Sequence, residues 1–283
     1  MPADSVQRLA HTKETIRYPL YAIRFIRKLK RAVLDEDPSF CDMYQDAPLR
    51  QAAEEYLSYI RPVLREQCGP DPLTILDAGC QAGRFLIPLA QEGHRMIGMD
   101  TSRFSLRRAR RNAQACHVAV RLHRGDIASL SAWIAPASLD AALCLEVLYL
   151  CENYRELLGA LAASVKPGGL LCVSHRPRLY YVANALRHGH PAQATEMVQR
   201  SEGPSTDGQY HNWHTPEQLA RLYREQGLEL LDSYPVGCQP TRLSLTSEVD
   251  DAVRRDLATV YTDDSTFSIP TYYLVIAKQP FHT

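Results

Sequence analysis

No stretch of this 283-residue chain approaches the roughly 18 apolar residues in a row that a membrane-spanning helix needs. Its opening, MPADSVQRLA, lacks the apolar core of a secretory signal, so a targeting leader is not expected. Charge of one sign is missing as well. Lys+Arg and Asp+Glu stand at 32 each, so net charge singles out neither a nucleic acid nor an acidic partner, and DNA is not expected to bind. The eight cysteines (41, 68, 80, 116, 144, 151, 172 and 238) include no CxxC pair. That spacing argues against zinc and for a reduced, cytoplasmic setting, with several thiols acting as small hydrophobes in or beside strands. Internal repeats and low-complexity tracts are absent. The length suffices for one large domain, or for a domain with an appendage.

What is present is organised around Leu73–Asp100, LTILDAGCQAGRFLIPLAQEGHRMIGMD. Leu73–Leu76 reads as a buried strand with Asp77 at its carboxyl end. Gly79 and Gly83 make a tight turn into a helix carrying Phe85, Leu86 and Leu89. Gly93 closes that helix, Met96–Met99 is a second strand, and Asp100 stands at its tip. A strand, glycine turn and helix let a ligand approach the backbone closely. An acid about 20 residues beyond the glycines is placed to accept both hydroxyls of a ribose.

Two ligands suit such a unit. A dinucleotide site wants glycines at positions 79, 81 and 84, and this chain has Gly79, Gln81 and Arg84. Asp77 would repel a pyrophosphate but suits an amino-acid ammonium, which favours S-adenosylmethionine (SAM). The stretch resembles the first motif of class I SAM-dependent methyltransferases, whose acid-x-Gly-x-Gly-x-Gly pattern falls on Asp77, Gly79, Gln81 and Gly83. Gln81 departs from the middle glycine and is expected to narrow the cofactor pocket. Cys80, inside the turn, and Thr101, next to Asp100, join the candidate cofactor contacts.

The flanking chain extends the pattern. Ile16–Val33 is an amphipathic basic helix whose charged face suits solvent, an anionic membrane surface or an acidic partner. A second helix spans Leu49–Arg65. In the family such helices commonly cover the cofactor, which makes Tyr44 and Arg50 candidate contacts. A helix from Ser102 through Ala113 carries five arginines with a single aromatic residue, Phe104, among them, so a solvated face outweighs RNA binding. Val118–His123 is the third strand. The resemblance gives Asp126 to the adenine amino group, with Ile127 against the ring. Leu139–Leu145 is the fourth strand, and Cys144, Leu145, Glu146 and Tyr149 are expected to line the crevice at its exit. A helix over Glu152–Val165, the run Lys166-Pro167-Gly168-Gly169, and a fifth strand at Leu170–Ser174 follow in the family's order. Thr215-Pro216-Glu217-Gln218 is a capping box opening a helix that Gly227 closes. Strands at Leu228–Val236 and Tyr272–Lys278 complete seven.

The expected fold is α/β: a three-layer, Rossmann-like, seven-stranded, mostly parallel sheet with an antiparallel last strand. Residues 1–72 are expected to form a helical cap and 73–283 the SAM-binding domain, with helical lid inserts at about 176–213 and 237–269. The first insert holds helices around Tyr180–Leu186 and Ala192–Gln199 and a flexible SEGPSTDGQ segment; the second holds one near Ser247–Val260.

The motif order and TPEQLARLYREQGLEL look most like the ubiquinone-biosynthesis-like O-methyltransferases, firmly over Leu73–Ser174 and moderately over His211–Val236. Relatives place a Glu-His pair after the fourth strand. Here Tyr149 and Leu150 stand instead, which counts against a ubiquinone-type acceptor and metal-assisted deprotonation, so no metal is expected. The resemblance implies SAM as cofactor, S-adenosylhomocysteine as product, and a small-molecule acceptor methylated on oxygen or nitrogen by in-line displacement. His175, His211 and His214 are the candidate bases. An RNA or protein methyltransferase stays open, although CLEV stands where an NPPY-like motif would serve base N-methylation. So does a SAM-binding protein that transfers no methyl group.

Overall fold

The computed structural model describes residues 41–205, 208–241, 249–258 and 267–281. The basic helix expected at Ile16–Val33 lies outside the described residues.

Helix α1 (Ala47–Cys68) starts where the Asp46 carboxylate accepts the Leu49 N–H, with proline in its first turn. The core unit follows as β1 (Thr74–Ala78), α2 (Leu86–Gln91) and β2 (Arg95–Asp100). Next come α3 (Arg103–Ala115), β3 (Arg121–Arg124), a 3₁₀ turn (Ile127–Ala132) and β4 (Leu139–Cys144). A second 3₁₀ turn (Leu148–Leu150) leads to α4 (Tyr154–Ser164) and β5 (Val165–His175). The first insert contributes α5 (Arg178–Arg187), α6 (Pro191–Gln199) and the short strands β6 (Glu202–Pro204) and β7 (Tyr210–Asn212). Then come α7 (Pro216–Glu225), β8 (Glu229–Val236), β9 (Gln239–Thr241), α8 (Asp251–Ala258), β10 (Phe267–Ile269) and β11 (Tyr272–Lys278).

The main sheet has seven strands in the order β3-β2-β1-β4-β5-β11-β8. The first five are parallel, and β11 runs antiparallel to both β5 and β8. The strands read as near-continuous apolar runs because both faces are covered. Leu76, Ala142, Leu171, Val173 and Val275 meet the faces of α4 and α7. Ile75, Leu143, Cys172, Leu274 and Ile276 meet Tyr56, Leu57 and Ile60 of α1 and Leu86 and Leu89 of α2. Helix α1 is therefore part of the layer on one face of the sheet. At about 25 cal/mol per Å² of apolar surface removed from water, these two covered faces dominate the stability of the fold.

Strand β5 begins earlier than expected, running through Lys166-Pro167-Gly168-Gly169 with a register shift against β4. A Cβ on Gly169 would stand 2.6 Å from the Asp140 carbonyl oxygen, so only glycine lets β5 start this close to β4. The SEGPSTDGQ segment, expected to be flexible, instead supplies one strand of a hairpin, with Glu202 opposite Asn212 and Pro204 opposite Tyr210. Its anchor is tertiary. Trp213, fully buried, donates from Nε1 to the carbonyls of Met197 and Arg200 and so caps the end of α6.

The two inserts share one apolar cluster. Tyr181, Ala185, Met197 and Trp213 of the first pack with Val249, Val253, Leu257 and Ile269 of the second. Arg178 on α5 also pairs with Asp256 on α8.

Candidate active site

A cavity of about 630 Å³ opens at the carboxyl ends of β1, β2 and β4. That is the crevice where open α/β sheets place ligands, and the volume lies within the ~300–1,000 Å³ of ligand pockets.

Its central edge is the turn after β1. Gly79 has φ +86°, and a Cβ there would stand 2.4 Å from Val147 Cγ2. The N–H groups of Gly79 and Cys80 both donate to the Met99 carbonyl, and that of Gly83 to the Cys80 carbonyl. The Gln81 N–H goes to the Asp100 carboxylate (3.0 Å) and the Ala82 N–H to Gln81 Oε1 (3.2 Å). Every amide from 79 to 83 is thus spent within the protein. A pyrophosphate cradle needs such amides pointing outward, so this turn cannot serve one.

Gln81, at the middle-glycine position, takes a left-handed φ of +44°. Its side chain accepts from the Met43 N–H (3.3 Å) and donates to the Cys41 carbonyl (3.0 Å). The residue that replaces the glycine therefore ties the segment before α1 to the turn, and Met43 lines the cavity beside it.

Asp100 sits at the tip of β2. Its Oδ1 accepts the Ser102 N–H at 2.8 Å, and Oδ2 the Gln81 N–H. Burial nevertheless holds its carboxyl above the usual range, against the pull of those two bonds. Asp126 caps the 3₁₀ turn by accepting the Ala128 N–H at 2.9 Å, with Ile127 buried behind it.

Beneath the turn lies a charged triad. Asp77 is 1% exposed and accepts the Leu86 N–H; burial pushes its carboxyl up to about 7, against the opposing pull of Arg84. Arg84, 4% exposed, lines the cavity and pairs with Glu146 at 2.8 Å. Its guanidinium also lies over the Phe85 ring. Arg84 Nη1 and Asp77 Oδ2 are buried without hydrogen-bond partners. Glu146 holds a left-handed φ of +62° on leaving β4, fixed by its N–H to Ser174 Oγ (2.6 Å) and by Arg84. For a residue other than glycine that conformation costs about 1–2 kcal/mol, and such strain concentrates at functional sites.

Gly79, Cys80, Asp100, Thr101, Asp126, Ile127, Leu145, Glu146 and Tyr149 all line the cavity. Five other candidates stand away from it. Asp77 lies under the turn. Gly83 supports helix packing, where a Cβ would meet Ile87 at 2.9 Å. Cys144 is fully buried, since strand alternation turns it into the core on the face opposite Leu145. Tyr44 is buried with its hydroxyl on Cys116 Sγ at 2.9 Å, and its neighbour Met43 takes the place at the cavity. Arg50 is exposed on α1 and does not line the cavity.

The three histidines separate as well. His175 is 0% exposed, its Nε2 sits 2.8 Å from the Tyr223 hydroxyl, and burial holds it well below its usual pKa. It points with Leu171 and Val173 into the face covered by α7 and does not line the cavity. His214 is also buried, 3.2 Å from the Tyr154 hydroxyl and pushed down to about 4, beside a smaller cavity of about 230 Å³. His211, half-buried on β7, lies 5.5 Å ring to ring from Tyr149, a cavity residue. Beside it, Asn212 donates to the Leu148 carbonyl at 2.8 Å, fastening the hairpin to the loop after β4.

Sequence reasoning passed over Met43, Arg84, Val147, Leu150, Cys151 and Asn153, all of which line the cavity. For Arg84 a signal existed: a cation directly after a glycine turn and seven residues beyond an acid.

Among the described residues, no group of three or more His, Cys, Asp or Glu side chains is placed to hold a metal ion. No helix among them is long and apolar enough to cross a membrane.

The strand order, the antiparallel β11 and the glycine turn between two strand-end acids define the class I methyltransferase architecture. Residues 49–233 match the family model for the methyltransferase domain, and the chain belongs to that SAM-dependent family. It is 28% identical over 180 residues to a ubiquinone biosynthesis O-methyltransferase of Nitrobacter winogradskyi, spanning 63% of this chain and 66% of that one. A protein of the same description from a Methylobacterium species is 29% identical, over 70% of this chain and 79% of its own. Among solved structures, magnesium protoporphyrin IX methyltransferase from Synechocystis PCC 6803 superposes with a TM-score of 0.54 at 16% identity. That superposition covers 90% of this chain and 99% of the other, and it speaks for the fold.

Proposed function

We propose that this chain transfers the methyl group of SAM to a small-molecule acceptor, on oxygen or nitrogen, by in-line displacement. The observation that carries the reading is a cavity whose glycine turn has no free amide, yet which has unsatisfied charge at its edge on Arg84 and beneath the turn on Asp77. Arg84 Nη1 and Asp77 Oδ2 are an orphaned donor and acceptor, complementary to the carboxylate and ammonium of an amino-acid tail. With Glu146 they sum to one excess negative charge when all are ionised, which suits a cofactor that also carries a sulfonium.

In this reading Arg84 meets the cofactor carboxylate and Glu146 faces its ammonium, with Asp77 adding negative charge from beneath the turn. Gly79 and Cys80 let the chain approach closely. Asp100, with Thr101 beside it, accepts the ribose hydroxyls, and Asp126 takes the adenine amino group over Ile127. Leu145 and Tyr149 wall the acceptor side. The cofactor itself supplies an activated methyl on a sulfonium; the protein supplies alignment, a dry pocket and a base for a hydroxyl acceptor. His211 is the base we assign, because its ring abuts that of Tyr149, a cavity residue.

The relatives' description as O-methyltransferases supports oxygen as the acceptor atom. The first insert, fastened by Asn212 to the cavity loop, serves as the acceptor lid. All eight cysteines are unpaired, which supports a reducing, cytoplasmic setting.

Calorimetric titration with SAM and S-adenosylhomocysteine tests the reading. Wild type is expected to bind in the micromolar range, and Asp100→Ala to lose at least about tenfold as two ribose hydrogen bonds to a charged group disappear. Absence of binding by the wild type would overturn it.

A further inference from the structure

Arg176 is the first residue beyond β5, at the same end of the sheet as the cavity. Its guanidinium carbon lies over three tyrosine rings, at 4.0 Å from the centroid of Tyr272, 4.3 Å from Tyr180 and 4.9 Å from Tyr149. Nη1 donates to the Thr271 carbonyl at 3.2 Å. Nε is buried and has no partner. Among the described residues, no carboxylate lies within ion-pair distance of it.

This arrangement is costly for the free protein. Ring faces attract a cation, each contributing about 0.5–2 kcal/mol, but offer no lone pair to an N–H. A buried guanidinium edge therefore lacks its acceptor, while Arg84 close by has Glu146. With Nη1 taken by Thr271, the edge left over is Nε with Nη2, the side of the fork that meets a carboxylate with two parallel hydrogen bonds. Tyr149 connects this cation to the cavity, since one ring both lines the cavity and packs on Arg176. Tyr180 belongs to α5 of the insert, so one of the three rings around the guanidinium comes from the insert.

We propose that Arg176 is the specificity residue for the acceptor, which is an aromatic carboxylate whose ring packs on the tyrosines and whose anion meets Nε and Nη2. This rests on the methyltransferase reading above, and adds to it the charge and shape of the acceptor. Entry of the anion turns Tyr180 aside, so acceptor binding and insert position are coupled. A neutral acceptor would leave the guanidinium edge unpaired.

The test uses the full chain loaded with S-adenosylhomocysteine, titrated with benzoate, phenyl phosphate and benzamide. Benzoate is expected to bind at least about tenfold more tightly than benzamide, the range of a charge-assisted pair. Arg176→Gln is expected to erase that preference, and Arg176→Lys, which keeps the charge without the fork, to retain part of it. S-adenosylhomocysteine affinity should be the same in all three proteins, which shows that the variants are folded. Equal binding of benzoate and benzamide, no binding of either, or a preference surviving in Arg176→Gln overturns the proposal. Tighter binding of phenyl phosphate than of benzoate overturns the carboxylate assignment in favour of a phosphate. Failure of the cofactor reading is seen separately, in the loading titration.

Discussion

Asp77 offers a quantitative test of how the site is built. Burial holds its carboxyl at about 7 in the folded chain, whereas an unfolded chain releases that proton near the ordinary value of about 4. Between those limits the folded state binds more protons than the unfolded one, so stability falls as pH rises across the window. The penalty is absent below about pH 4 and complete above about pH 7. Three pH units at 1.36 kcal/mol each make it about 4 kcal/mol. Asp77→Asn removes the charge while keeping an oxygen for the Leu86 N–H. The variant should match wild type near pH 4, gain about 1.4 kcal/mol per pH unit above that, and level off past pH 7. Urea unfolding at intervals from pH 4.5 to 8.5 measures the gap, and S-adenosylhomocysteine titration of the same samples should show weaker binding. A gap independent of pH, or a variant less stable than wild type at pH 8, would refute the argument that the chain keeps this carboxylate at the expense of stability.

Three further outcomes follow from the geometry. Gly79→Ala forces a Cβ toward Val147 at a left-handed backbone position, and should lower stability by about 2–4 kcal/mol and cofactor affinity at least tenfold; thermal melts with and without S-adenosylhomocysteine check both, and unchanged melting would contradict the close approach. With an identified acceptor, His211→Gln should lower kcat while cofactor affinity holds. His175→Ala should instead lower stability by about 2–4 kcal/mol by opening a void and stranding the Tyr223 hydroxyl, with kcat per folded molecule unchanged.

Much of this fold is legible in the amino-acid sequence because its strands are covered on both faces, which makes runs such as LDAALC and YYLVIAK unmistakable. The strand tips were legible for the same reason: a polar residue ending such a run, like Asp100, faces the crevice. What escaped is side-chain direction. His175 ends a strand beside the crevice, but period-two alternation aligns it with Leu171 and Val173, toward Tyr223 on a helix far along the chain. Cys144 follows the same rule relative to Leu145. Met43 lines the cavity and Tyr44 does not, because Gln81 binds the backbone of that segment and sets its rotation. The β6–β7 hairpin has little local strand preference, and Trp213 and Asn212 fix it from outside.

The common cluster under the two inserts bears on how acceptor choice could be re-engineered. The first half of the sheet carries the glycine turn and the strand-end acids, whereas Tyr181, Met197 and Trp213 complete their packing only with Val253, Leu257 and Ile269 from some 40–90 residues further along. Transplanting residues 176–213 alone into another methyltransferase would carry half of that cluster and expose its apolar side. A working chimera has to move both segments together, including the Arg178–Asp256 pair that bridges them. Diversification of the acceptor pocket is in that sense a two-locus problem, in which compatible changes must arise in parts of the sequence separated by a helix and a strand of the main sheet.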